Sequence, residues 1–299
     1  MKQALNNLKD YAELAQASYF YFDLFKDSQG IPRKIYELDS NSNKIKDESY
    51  PRGYKEIEIT LEHIVSQKHK GQEVLVNLQQ GDDIFTKMRN DANETFNFDK
   101  LNGEFSEIQA RNFAKRYEII FHQPNTLTGF SATLFGEKRK QTNTQTKEVT
   151  YTNEGGYIHY ILAIRGTETD NIKDYFVDKN LLFKDTPKEQ YFDMLLFYNQ
   201  CIGKIPFYVE SDSIPQDRNS LEYEIWKVLY LRSTQSEYKP YIAESLLKDS
   251  TLPPTSLNFT SPITATTKLT LTGHSLGGCL AQLFCICNKK YSKTQRIAI

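Results

Sequence analysis

Apolar and polar positions alternate with two different periods along this chain, and the switches between them outline its elements. Leu5, Leu8, Ala12, Ala15 and Tyr19 recur at spacings of three and four, which predicts an amphipathic helix over 4–22. Residues 23–58 are crowded with Asp, Ser, Asn, Lys and Gly and read as loop; Thr60 then caps a short helix over 61–69. Residues 80–104 favour neither period. Ser106 to Gln109 form a capping box, opening a helix with Ala110, Phe113, Ala114 and Tyr117 on one face. A β-hairpin is predicted next, with arms around Gly129 to Phe135 and Tyr157 to Ile164 and an exposed polar connection over 137–155. Thr186-Pro187-Lys188-Glu189 opens another helix, with Tyr191, Met194, Leu195, Tyr198 and Ile202 sharing a face. A further helix covers 221–232, and the Ser/Thr/Pro-rich stretch 250–267 reads as loop. A strand over Lys268 to Thr272, a helix over 276–289 and the opening of one more strand at Arg296 to Ile299 complete the pattern. No internal repeat is visible.

The last strand–helix pair carries the chemistry. Gly273-His274-Ser275-Leu276-Gly277 is a G-x-S-x-G motif, with Gly278 directly behind it. Between a strand and a helix this pattern bends the chain so tightly that the serine takes a strained backbone conformation and its hydroxyl stands clear. Side chains two residues before and after the serine would collide with neighbouring backbone, so Gly273 and Gly277 are needed; Gly278 lets the helix lie close to the sheet. Ser275 is therefore the candidate nucleophile, placed at a helix N-terminus whose partial positive charge favours a developing anion. The N–H of Leu276 is a candidate oxyanion donor. His274, adjacent to the serine, is expected to pack beside the turn rather than act as its base.

Composition narrows the setting. The 299 residues are 39% hydrophobic, 25% charged and 13% aromatic, an ordinary globular profile with ample material for a core. With 37 basic and 38 acidic residues the net charge is -1, which gives no sign of a nucleic-acid partner. The N-terminal MKQALNNLKDYAELAQ lacks the apolar run of a Sec signal peptide, and no stretch is long and apolar enough for a transmembrane segment. A soluble protein is expected, cytoplasmic or exported by a signal-independent route. Cys201, Cys279, Cys285 and Cys287 match neither a disulfide framework nor a zinc site and read as free thiols. No metal or cofactor is called for.

The residues Leu269 to Gly278 resemble the active-site serine signature of class 3 lipases, the fungal-lipase-like branch of the α/β-hydrolases. The apolar run Tyr160 to Ile164 followed by Arg165-Gly166-Thr167 is similar to the strand that leads into that family's oxyanion loop. Asp174-Tyr175-Phe176-Val177-Asp178 is a looser match, and Gly129 to Phe135 also looks like bacterial members. The resemblance covers about 130–299, with gaps. It implies an α/β-hydrolase fold, incomplete at the C-terminus, with a mainly helical N-terminal extension. The expected division is 1–128 and 129–299, with 179–266 as a lid or cap insertion. It implies Thr167 as the second oxyanion donor beside Leu276, and structural roles for Arg165, Asp174 and Asp178.

The implied activity is that of a serine esterase or lipase. It would hydrolyse carboxylic esters of lipids, triacylglycerol or phospholipid, through an acyl-enzyme on Ser275. A lipid or other ester is the expected substrate, with transient contact to a membrane or lipid surface. In that family the triad Asp and His follow the serine, yet residues 276–299 contain no Asp, Glu or His. The chain therefore reads as a truncated form lacking the rest of the triad, nearly inactive alone. The competing readings are a catalytically dead remnant or binding protein that keeps the hydrolase fold, and an acyltransferase or serine peptidase on the same scaffold.

Overall fold

The computed structural model describes residues 2–27, 30–75, 99–166, 188–247, 259–287 and 295–298. Two compact units emerge: one joins Met1–Tyr19 to Arg116–Ile299, the other is Phe20–Lys115. This division differs from the expected 1–128 and 129–299. The first helix, α1 (Lys2–Ala17), belongs with the large unit, and so does the segment just after residue 115.

The described residues of Phe20–Lys115 combine short helices with short strands and turns, where a mainly helical region was expected over 1–128. Strands β1 (Lys34–Tyr36) and β2 (Glu56–Glu58) pair antiparallel, with Ile35 opposite Ile57. The polar stretch between them folds into tight turns, because its side chains bind nearby backbone: Asp39 Oδ1 accepts from the N–H groups of Asn41 and Asn43, both at 2.8 Å. Helix α2 (Leu61–Val65) has the predicted Thr60 cap, completed by His63 Nδ1, which accepts from the Thr60 N–H. Helix α3 (Glu107–Arg116) starts at the predicted Ser106, whose hydroxyl accepts from the Gln109 N–H at 3.3 Å. Phe20, Phe105 and Phe113 stack edge to face in the core of this unit.

The large unit is built on a six-stranded mixed sheet of β3 (Tyr117–Gln123), β4 (Ala132–Glu137), β7 (His159–Ile164), β8 (Tyr241–Ile242), β9 (Leu269–Gly273) and β10 (Gln295–Ala298). Its spatial order is β10-β9-β7-β4-β3-β8. The predicted hairpin is β4 with β7, in register from Ala132 opposite Ile164 to Glu137 opposite His159. Its connection carries an exposed two-stranded sheet of its own, β5 (Arg139–Thr142) with β6 (Val149–Thr152). Strands β7, β9 and β10 are parallel, while β3, β4 and β8 run antiparallel to their neighbours.

The alternation Leu269-Thr270-Leu271-Thr272 assigns the two faces of β9. Leu269 and Leu271 join a buried cluster with Leu162, Ile164, Met194, Phe197, Leu280, Ala281 and Phe284. That cluster unites the sheet with α4 (Lys188–Cys201) and α6 (Leu276–Cys287). Thr270 and Thr272, equally buried, face the other way, and Thr272 Oγ1 donates to the Tyr11 carbonyl of α1 at 3.1 Å. A charged cluster pins the same helix: Arg116 bridges Asp10 at 2.6 Å and Glu137 at 2.8 Å. The fold is thus an α/β arrangement, with helices on both faces of a mixed sheet.

Within the segment expected as a lid or cap over 179–266, the first described helix packs against the sheet. Helix α4 is part of the core, because Met194, Phe197, Tyr198 and Cys201 are all buried against the sheet cluster. The single-face reading missed Phe197 and Cys201, which widen its apolar surface. Helix α5 (Leu221–Thr234), capped by Ser220, is tied to α4 through the Arg232–Asp193 ion pair at 2.5 Å. Among the described residues, no helix is long and apolar enough to cross a membrane.

Candidate active site

Strand β9 ends at Gly273 and α6 begins at Leu276, so only two residues turn the chain. Ser275 takes φ 54°, one of the few non-glycine residues described here in the left-handed region. An L-residue there costs about 1–2 kcal/mol, so the surrounding packing must hold it. The Gly277 N–H donates to the His274 carbonyl at 3.0 Å, and the Cys279 N–H to the Ser275 carbonyl at 3.2 Å. These bonds close the turn and start the helix.

Both flanking glycines are required by space. A Cβ on Gly273 would lie 2.6 Å from the Gly277 carbonyl carbon and 2.8 Å from the Ile164 oxygen. A Cβ on Gly277 would overlap the Ile164 carbonyl oxygen and stand 3.0 Å from the Arg165 carbonyl carbon. Gly278 is buried in the first turn of α6. The close approach has a consequence: Ser275 is exposed at the C-terminal end of β9, beside the end of β7. Leu276 opens the helix, where the first N–H groups have no intrahelical acceptor.

Gly166 reaches the same spot from β7. A Cβ there would be 2.5 Å from the His274 carbonyl oxygen, 2.5 Å from Tyr19 Oη and 3.2 Å from Ser275 Cβ. Arg165 is buried at 4% exposure, and its N–H donates to the Ser131 carbonyl at 3.0 Å. The segment Arg165-Gly166 therefore lies alongside the serine turn. Thr167, Asp174 and Asp178 lie outside the described residues.

His274 Nδ1 is 3.0 Å from Tyr19 Oη, and the two rings meet edge to face with centroids 6.0 Å apart. The pair sits at the surface beside Ser275. His159 and His122 are placed elsewhere. His159 stands at the start of β7, its Nε2 2.8 Å from Thr270 Oγ1 and its Nδ1 3.5 Å from Glu137. His122 is buried on β3 with Nδ1 2.9 Å from Thr133 Oγ1. Burial, reinforced by the nearby Arg165 charge, pushes His122 down to about 3. All four cysteines are free, and burial raises the Cys201 thiol.

The structure places Ser275, Leu276, Gly273, Gly277 and Gly278 at one turn and adds Tyr19, which sequence reasoning did not single out. Its only signal was its place at the end of an amphipathic helix, which does not reveal that the helix lies on β9. Comparison with family models, with curated proteins and with solved structures gave no match.

Proposed function

We propose that the large unit is an α/β-hydrolase-type domain similar to class 3 lipases, whose chemistry is acyl transfer from carboxylic esters to Ser275. The observation that carries this reading is the left-handed serine at φ 54° between β9 and α6. Strain at an exposed polar residue, enforced by two glycines that admit no side chain, is what a displayed nucleophile requires. In the proposed reaction Ser275 Oγ adds to the ester carbonyl carbon, and the carbonyl oxygen becomes an oxyanion facing the Leu276 N–H. Thr167 is retained as the second donor by resemblance. The proton lost by Ser275 Oγ passes through solvent to the leaving alkoxide as the intermediate collapses, so that an alcohol departs and an acyl-serine remains, which water then hydrolyses. A lipid ester is the proposed substrate class, met at a lipid surface.

A serine hydroxyl reacts slowly until a base takes its proton. The histidine next to Ser275, His274, has its Nδ1 engaged by Tyr19. This favours a second reading, in which the site binds esters without turning them over. Incubation with an activated aryl ester, followed by intact-mass measurement, separates the two. The acyl-transfer reading predicts an acyl adduct on Ser275 that persists because deacylation is slow. No adduct, or the same adduct on Ser275→Ala, favours the binding reading.

A further inference from the structure

We infer that Tyr19 is a hydrogen-bond donor to the oxyanion formed at Ser275, with His274 as the residue that orients it. The inference deepens the proposed acyl-transfer reading and rests on it. Its geometric basis is one point in space, the position a Cβ on Gly166 would occupy. Tyr19 Oη lies 2.5 Å from that point and Ser275 Cβ lies 3.2 Å from it. The phenol oxygen therefore borders the ground on which an acyl group attached to Ser275 would sit.

Burial points the same way. His274 and Ser275 are exposed and Tyr19 is half-buried, so this polar pair faces solvent at the mouth of the turn. A hydroxyl and an imidazole joined there fill no void in the core. Tyr19 is also held from behind. It follows α1 directly, and its N–H donates to the Gln16 carbonyl at 3.1 Å. The Thr272–Tyr11 bond and the Asp10–Arg116–Glu137 cluster fix α1 on the sheet. A donor that is already placed loses little freedom when charge develops, which is the condition for effective oxyanion stabilisation.

The hydrogen bonds follow one order. We assign the proton of this 3.0 Å contact to His274 Nδ1, so that the imidazole donates and Tyr19 Oη accepts. The phenol O–H is thereby turned away from His274 and towards the acyl oxygen. When Ser275 Oγ bonds to the carbonyl carbon, the π electron pair moves onto oxygen, and Tyr19 donates a hydrogen bond to it without losing its proton. Such a bond to an anion is about twice as strong as one between neutral groups.

The test measures labelling rates of the 299-residue chain with a fluorophosphonate and with its thiono analogue, in which P=S replaces P=O. Sulfur is a weak acceptor, so a donor aimed at this atom produces a preference for the oxo probe. Tyr19→Phe keeps the ring and removes only the hydroxyl; a thermal melt checks that it folds. Oxo labelling of Ser275 should fall about 10-fold or more, while thiono labelling changes little. His274→Ala should lower the oxo preference in the same direction, by less. Equal rates for Tyr19→Phe and wild type overturn the inference. So does an equal loss with both probes, which marks structural support alone. Absence of Ser275 labelling in the wild type instead removes the acyl-transfer reading, and this inference with it.

Discussion

Gly277 and Ile164 meet backbone to backbone, with no room for a methyl group between the Cα of one and the carbonyl oxygen of the other. This contact presses the start of α6 against the end of β7 and leaves Ser275 nowhere to go but outward. Gly277→Ala should therefore destabilise the protein by about 3 kcal/mol or prevent folding, since two main chains would have to separate. Urea unfolding measures the loss. A variant as stable as wild type would show that the strand and helix ends are not in contact.

The left-handed serine makes an opposite prediction for a different substitution. Ser275→Gly removes the steric penalty at φ 54°, whereas Ser275→Ala retains it. The glycine variant should be more stable than the alanine variant by about 1 kcal/mol, and neither should react with ester probes. Thermal melts of the two proteins decide the order. Alanine equal to glycine or better would mean that residue 275 carries no backbone strain.

Asp193 and Arg232 form an ion pair with side chains no more than 5% exposed, and Asp193 also accepts from Thr126 and Thr128, each at 2.7 Å. Asp193→Ala leaves the Arg232 charge buried without its counterion and should cost about 3–5 kcal/mol. Replacing both, as Asp193→Leu with Arg232→Met, should recover much of that loss. Comparing the single and double variants by urea unfolding checks the coupling. A single variant within about 0.5 kcal/mol of wild type contradicts the buried pair.

Acid should weaken the fold well before its carboxylates titrate. Burial first, then the Arg165 charge, lowers His122 from 6.5 to about 3, and burial with the neighbouring His69 lowers His63 to about 4. As pH falls below 6.5 the unfolded chain binds protons that the folded chain refuses, so stability falls with pH. One such group contributes a slope of up to about 1.4 kcal/mol per pH unit until its folded pKa is reached. His122→Gln should reduce the slope between pH 6.5 and 5, read from urea melts at several pH values. An unchanged slope would mean that His122 accepts its proton in the folded state.

Much of this architecture is legible in local sequence. The caps at Thr60 and Ser106, the Leu-Thr alternation of β9 and the glycines around Ser275 are short-range signals, and each element follows from contacts within a few residues. Strand β3 was not foreseen, because Tyr117–Gln123 is buried on both faces and so lacks an alternating pattern. Two-residue β8 is too short to leave any signal. The breadth of the apolar surface of α4 was not legible, because Phe197 and Cys201 lie beside the face that the three-and-four spacing picks out. Tyr19 stayed hidden for a more general reason: its partners His274 and Gly166 lie far along the chain, and only the packing of α1 on β9 brings them together.

The central claim is that the turn after β9 presents a reactive serine. Fluorophosphonate labelling followed by peptide mapping tests it most directly. The account predicts a phosphonyl group on Ser275, and no label on that peptide in Ser275→Ala. An unlabelled wild-type chain, or a label carried by another residue and indifferent to the Ser275 substitution, would contradict it.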